Sequence, residues 1–212
     1  MKNWRIWLIL ALIVIAGGIA YFFSASVKDT QVYQGTVLNG GASDFGLFDQ
    51  NGNLVRLSDF GDKIIVLAFM DSQCQDVCPL TSAQLIQTYK NLDPGEVSRV
   101  VFLAVNVTVD ANTIADVSLA TVKWRLEQIP DWHFLTGTVE ELESVWRDYA
   151  VAVTNDPNSR EIMHTSGVYL IAPAGQKRWY ISTPYSEDGN TEWTLPLSEL
   201  LVNHIREILK DN

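Results

Sequence analysis

Cysteine is scarce in this chain: 212 residues contain two, Cys74 and Cys78. A lone pair cannot staple a scaffold, so apolar burial must hold the core, and the pair is either a single bridge or a working site. Histidine is nearly as rare, with His133, His164 and His204. No acid occurs before Asp29, and no residue from Ile6 to Phe23 is charged. Beyond that point basic residues are outnumbered. All 25 acids follow residue 28 while three of the 15 Lys and Arg lie within residues 1–28, leaving a formal net charge of −13 on the remainder. Such a surface repels nucleic acid and anionic membrane, and suits a basic partner or plain solubility. There is no glycine-rich phosphate loop, no paired-carboxylate motif and no serine–histidine–acid constellation, so phosphate-loop, two-carboxylate and serine-hydrolase chemistry lack their residues. Repeats and low-complexity tracts are also missing.

The uncharged run of 18 residues, Ile6 to Phe23, is near the lower limit for a membrane span. Lys2 and Arg5 before it orient the N-terminus to the cytoplasm and the remainder to the outside. Trp4, Trp7, Tyr21 and Phe22 bracket it as interfacial aromatics do. Ser24-Ala25-Ser26 resembles a signal-peptide cleavage site, but the apolar run is longer than a typical signal core, so an uncleaved anchor is expected. No cysteine follows closely enough for lipid modification. The expected organisation is an anchor over 1–28, a polar tether over 29–43 and one domain over 44–212.

Within the domain, Phe45–Phe48 and Leu54–Leu57 read as a hairpin around Asn51-Gly52. Ile64–Met70 and Val100–Val107 are apolar, β-branched runs that belong in the middle of a sheet. Helices are expected over about 79–89, 114–128, 138–149 and 196–210. Thr138 and Glu141 fit a capping box, with Leu142, Val145, Trp146 and Tyr149 as the apolar stripe. A strand is expected at Phe134–Gly137, a loop over 154–159, and a second hairpin from Gly167–Ala172 and Lys177–Ser182. This order predicts an α/β fold: a thioredoxin-like central sheet flanked by helices.

The cysteines lie in Asp71-Ser72-Gln73-Cys74-Gln75-Asp76-Val77-Cys78-Pro79, between a buried strand and a helix with proline in its first turn. Unpaired N–H groups and the positive helix end favour thiolate there. In a helical turn, residues four apart have Cβ atoms roughly 5–6 Å apart, whereas a relaxed disulfide wants about 3.5–4.5 Å. A bridge would need local bending, and a metal would tolerate the gap. Nucleophile, redox partner and soft-metal ligand all remain open on this ground. Among possible third ligands, His133 precedes a short strand and His204 borders the stripe of the last helix. His164, where a loop enters a strand, is the better candidate. Met70 and Met163 are soft donors nearby, expected to be core packing.

Cys74-Gln75-Asp76-Val77-Cys78-Pro79 resembles the C-x-x-x-C-P motif of the Sco/SenC family, as do His164-Thr165 at the head of a strand and the segment Trp132-His133-Phe134-Leu135-Thr136-Gly137. The likeness runs over about residues 44–210. It implies a membrane-tethered metallochaperone on the periplasmic side that binds copper, as Cu(I) with Cu(II) as a second form, and delivers it to the binuclear centre of cytochrome c oxidase subunit II. It implies Cys74, Cys78 and His164 as the ligands. Gln75 replaces the family's usual proline, and Thr108 and Asn112 stand where aspartates are usual. Two thiolates and an imidazole suit Cu(I), leaving a side open for an acceptor's ligands. Zinc more often takes a fourth ligand. The alternative is a thiol–disulfide reductase, with Cys74 and Cys78 redox-active, that keeps an acceptor's copper-ligand cysteines reduced. A peroxidase would need an arginine that does not adjoin either cysteine, and a purely structural disulfide is the plainest rival.

Overall fold

A computed structural model describes Trp4 and residues 35–155, 162–182 and 195–211. The chain divides into two units, Met1–Tyr33 and Gln34–Asn212, and the second holds the sheet, its helices and both cysteines. The anchor expected over 1–28 and most of the tether lie outside the described residues. Among those described, no helix is long and apolar enough to cross a membrane.

The strands are β1 (Thr36–Val37), β2 (Gly46–Phe48), β3 (Leu54–Arg56), β4 (Ile64–Met70), β5 (Val100–Asn106), β6 (Trp132–Leu135), β7 (Val153–Asn155), β8 (Ile162–His164), β9 (Gly167–Ala172) and β10 (Gln176–Ser182). The helices are α1 (Val77–Asn91), α2 (Pro94–Val97), α3 (Ile114–Lys123), α4 (Val139–Asp148) and α5 (Leu197–Asp211). A six-stranded sheet runs in the order β1-β10-β9-β4-β5-β6, with β4, β5 and β6 parallel and β9 antiparallel to β4. Every residue of β4 and β5 is buried, as strands flanked on both sides and covered on both faces must be.

Alternation sends Ile65, Leu67, Phe69, Val101, Leu103 and Val105 to one face, where they meet Leu142, Val145, Trp146 and Tyr149 of α4 and its C-terminal turn, with Leu47 and Val55 of the hairpin. On the other face α1 and α5 pack together, and α5 contacts β9. The expected capping box of α4 is present, with Thr138 Oγ1 accepting the Glu141 N–H. The hairpin β2–β3 closes the free edge of β6. Phe48 and Thr136 exchange both backbone hydrogen bonds at 2.8 Å, and the Gln50 amide accepts from Phe134 N–H (2.7 Å) and donates to Trp132 O (2.9 Å).

Outside the cysteine segment, three elements depart from the sequence reading. The helix expected over 114–128 stops at Lys123; Arg125 takes φ +61° and a 3-10 turn over Leu126–Gln128 follows, which places Leu126 and Ile129 in the core. The strand expected at 134–137 begins at Trp132, in register with Phe102 of β5. The loop expected over 154–159 opens as strand instead: β7 pairs with β8, Val153 opposite His164, in a ladder separate from the main sheet. Residues 156–159 of that loop lie outside the described residues.

Candidate metal centre

The cysteine segment emerges from the carboxyl end of β4 beside the end of β5, where sheets of this type carry their chemistry. Cys74 lies in the turn: its N–H donates to Asp71 O at 3.1 Å. Cys78 lies inside the first turn of α1, because the helix begins at Val77 rather than at the expected Pro79. No side chain caps that helix from Asp76. Instead the Cys78 N–H donates to Cys74 Sγ at 3.2 Å, so the sulfur fills the place of a capping oxygen and meets the positive end of the helix.

Both thiols are free, Cys74 half-buried and Cys78 buried. They differ sharply in acidity. The thiol hydrogen bond from Cys78 holds the Cys74 pKa down to about 6, helped by the N–H groups of Cys78 and Asp76 and opposed by burial and the Asp71 charge. Cys78 moves the other way: donating to Cys74 raises its pKa, and burial and the neighbouring thiolate raise it further. Sharing a proton lowers one thiol and raises the other, so the pair favours a single negative charge, on the less buried Cys74.

His164 closes β8 and is half-buried. Its Nδ1 lies 3.1 Å from Thr165 O. A carbonyl only accepts, so Nδ1 carries the hydrogen and Nε2 keeps its lone pair. Burial lowers the pKa of this ring, and the Thr165 contact and the Asp71 charge oppose it, so the ring is neutral at neutral pH. Thr165 is itself tied across the ladder, its N–H to Ala152 O (3.0 Å) and its Oγ1 from Ala152 N–H (3.1 Å).

The structure brings Cys74 and Cys78 together. It does not bring His164 into a shared coordination sphere: among the described residues no three His, Cys, Asp or Glu side chains are close enough to hold a metal ion. The negative charge of Asp71 nevertheless acts on the acidity of Cys74, Cys78 and His164 alike. The donor types are soft and borderline, two sulfurs and a neutral imidazole, and match Cu(I).

The other histidines have packing roles. His133 lies between buried Asp49 (3.2 Å) and Asp131 (3.5 Å), and His204 stacks on Trp179 with ring centres 4.0 Å apart. Met70 is in the core as expected, but Met163 is 67% exposed, so core packing was the wrong expectation for it. It alternates with His164 on β8 and points to the opposite side of the ladder. Asn112 donates to Gly137 O at 3.0 Å, a link between loops. Sequence reasoning missed the buried polar group under the turn, namely Asp71, Ser72, Asn106 and Thr108. Asn106, ending an otherwise apolar strand, was the available signal.

Fold and site together define a thioredoxin-like domain with a proton-sharing dithiol at the carboxyl end of its central strand. The SCO1/SenC family profile matches residues 37–192, and the chain belongs to that family. The mitochondrial SCO2 homolog of Bos taurus is 28% identical over 158 residues, covering 72% of this chain and 58% of the relative. That of Danio rerio is 30% identical over 139 residues, covering 64% and 49%. The chain therefore spans about half the length of these mitochondrial relatives. The crystal structure of yeast Sco1 with copper bound superposes with a TM-score of 0.65 at 21% identity, over 84% of this chain and 91% of that one.

Proposed function

We propose that this protein is a copper metallochaperone that receives copper on Cys74, Cys78 and His164 and passes it to the binuclear copper centre of cytochrome c oxidase subunit II or a similar acceptor. The observation that carries this reading is the geometry of the donors: Cys74 Sγ at a helix N-terminus, accepting the Cys78 N–H at 3.2 Å, a second thiol in the first turn of that helix, and an imidazole whose Nδ1 is turned to Thr165 O, which leaves the lone pair of Nε2 to bind. The copper-bound yeast relative supports it. Copper here is cargo. The two sulfurs hold it, His164 completes the set as β8 approaches, and ligand exchange at the open side transfers it without release. Residues 1–28 serve as a single-pass anchor with the N-terminus cytoplasmic, 29–43 as tether and 44–212 as the domain that presents the site outside.

Metal analysis of the reduced domain tests the reading. About one copper per chain is expected, lost in Cys74→Ser and Cys78→Ser and weakened in His164→Ala. Normal copper affinity in His164→Ala would remove His164 from the site. The second reading, a thiol–disulfide reductase acting on an acceptor's cysteines, is favoured by the asymmetry of the pair, an accessible thiolate backed by a buried thiol. Fast exchange with a model disulfide, together with weak copper binding, would select it.

A further inference from the structure

The segment that carries His164 is held at two places by two different neighbours. The peptide group joining His164 to Thr165 is held by the residue before β7: the Thr165 N–H donates to Ala152 O at 3.0 Å, and the Ala152 N–H donates back to Thr165 Oγ1 at 3.1 Å. The peptide group joining Ser166 to Gly167 is held from β10, where half-buried Tyr180 donates its hydroxyl to Ser166 O at 3.0 Å. The sheet explains that reach. Tyr180 stands opposite Tyr169, and Ser182 opposite Gly167, so Tyr180 and Gly167 are diagonal neighbours on one face. Gly167 is buried and has no side chain, and the Tyr180 ring fills the place a Cβ would take. Tyr169 meets that ring with centres 4.9 Å apart. The hydroxyl is thereby aimed along β9 at Ser166. Between the two held peptide groups lies a third, whose carbonyl, Thr165 O, is the partner of His164 Nδ1 at 3.1 Å.

We propose that Tyr180 is a positioning residue for His164: by holding Ser166 O it fixes the carbonyl that keeps the imidazole hydrogen on Nδ1 and leaves the Nε2 lone pair to bind metal. The inference rests on the copper reading for its purpose, since an imidazole set in this way is what completes the ligand set. Tyr180 itself touches no metal and acts through the backbone. With the peptide groups on either side held, the Thr165 carbonyl has little freedom to turn, and the partner of the second ring nitrogen decides which nitrogen stays open to a ligand. A carbonyl that turned away would let the hydrogen divide between Nδ1 and Nε2, and the Nε2–H form offers no lone pair there. The ladder before His164 is three residue pairs long, whereas the residues just after it are tied to the six-stranded sheet through β9 and β10. The ring is thus carried on an arm with one lightly held end and one fixed end, and Tyr180 sets the fixed end.

Tyr180→Phe removes the hydroxyl and keeps the ring over Gly167, and circular dichroism confirms folding. Nitrogen NMR of the His164 ring in the reduced, metal-free full chain, at a pH where the imidazole is neutral, should find the hydrogen on Nδ1 in the parent and shared with Nε2 in Tyr180→Phe. Cu(I) affinity, read by competition with a chelator, should fall about tenfold in Tyr180→Phe, at the low end of what the partners of a metal-bound histidine contribute. In a His164→Ala background the same substitution should cause no further loss, whereas a general loosening of the fold would weaken binding in both backgrounds. A folded Tyr180→Phe protein that keeps the parental ring tautomer or the parental copper affinity, or that loses as much affinity without His164 as with it, overturns the inference. A parent protein that takes up no copper while the ring hydrogen moves as stated supports the positioning role and overturns the copper reading instead.

Discussion

Replacing Cys78 by alanine should make Cys74 an ordinary thiol again. The largest influence holding Cys74 to a pKa of about 6 is the thiol hydrogen bond from Cys78. Cys78→Ala deletes that donor and leaves the backbone N–H at residue 78, 3.2 Å from the sulfur, in place. The half-point of Cys74 should therefore rise to about 7.5 or more, toward the ~8.5 of a free thiol. At pH 7 the thiolate fraction then falls from about nine-tenths to about a quarter or less, and reaction with iodoacetamide slows roughly fourfold or more. The assay is the alkylation rate of Cys74 against pH in both proteins, each under reducing conditions. The rate well above the half-point should change little, which separates an acidity effect from altered access. A half-point that stays near pH 6 in the variant would refute the proton-sharing account and assign the acidity to the helix terminus alone.

The reduced protein should be most stable, relative to a Cys74→Ala/Cys78→Ala variant, at about pH 8–9 in urea unfolding. The lowered Cys74 contributes stability that is full above its unfolded pKa and is lost as pH falls toward about 6, and the raised Cys78 contributes below its unfolded pKa and loses it as pH rises beyond. Gly167→Ala should destabilise by about 1–3 kcal/mol, because a Cβ there would come within 2.4 Å of the Tyr180 ring. Copper affinity should rise about tenfold per pH unit above pH 6, where only the Cys78 proton must leave, and more steeply below it, where Cys74 must also lose one. A single slope across that range would show that Cys74 is not ionised before the metal arrives.

The parts legible in the sequence are those where one local signal acts alone. Ile64–Met70 and the capping box at Thr138 are found where expected, because an unbroken β-branched run and a Thr-x-x-Glu pattern each have one low-energy reading. The short ladder of β7 and β8 was not legible: Val153-Thr154-Asn155 is three residues long with two polar side chains, and its pairing with Ile162–His164 depends on a partner farther along the chain. Met163 misled for a related reason, since a thioether beside a histidine gives no sign of which side of a ladder it will take. At the site, the strand-to-helix placement and the lowered pKa of a thiol were readable from residue order. Which thiol would hold the proton was not, because it depends on Cys78 entering the helix while Cys74 stays outside it.

That division between the two cysteines bears on how copper would be taken up and given away. The sulfurs sit beside the main sheet, one in a turn hydrogen-bonded to Asn106 and Thr108 and one in a helix. The imidazole sits on a ladder of three residue pairs that has no place in the main sheet. Such a ladder has few bonds to lose when it shifts, and isolated two-stranded pairs are marginal by themselves. On the copper reading, the dithiol supplies capture and His164 supplies retention. Withdrawal of one neutral ligand, made at little structural cost, then opens the metal to an acceptor while both thiolates still hold it. A site with all three donors fixed in the core would bind as well and release far less readily.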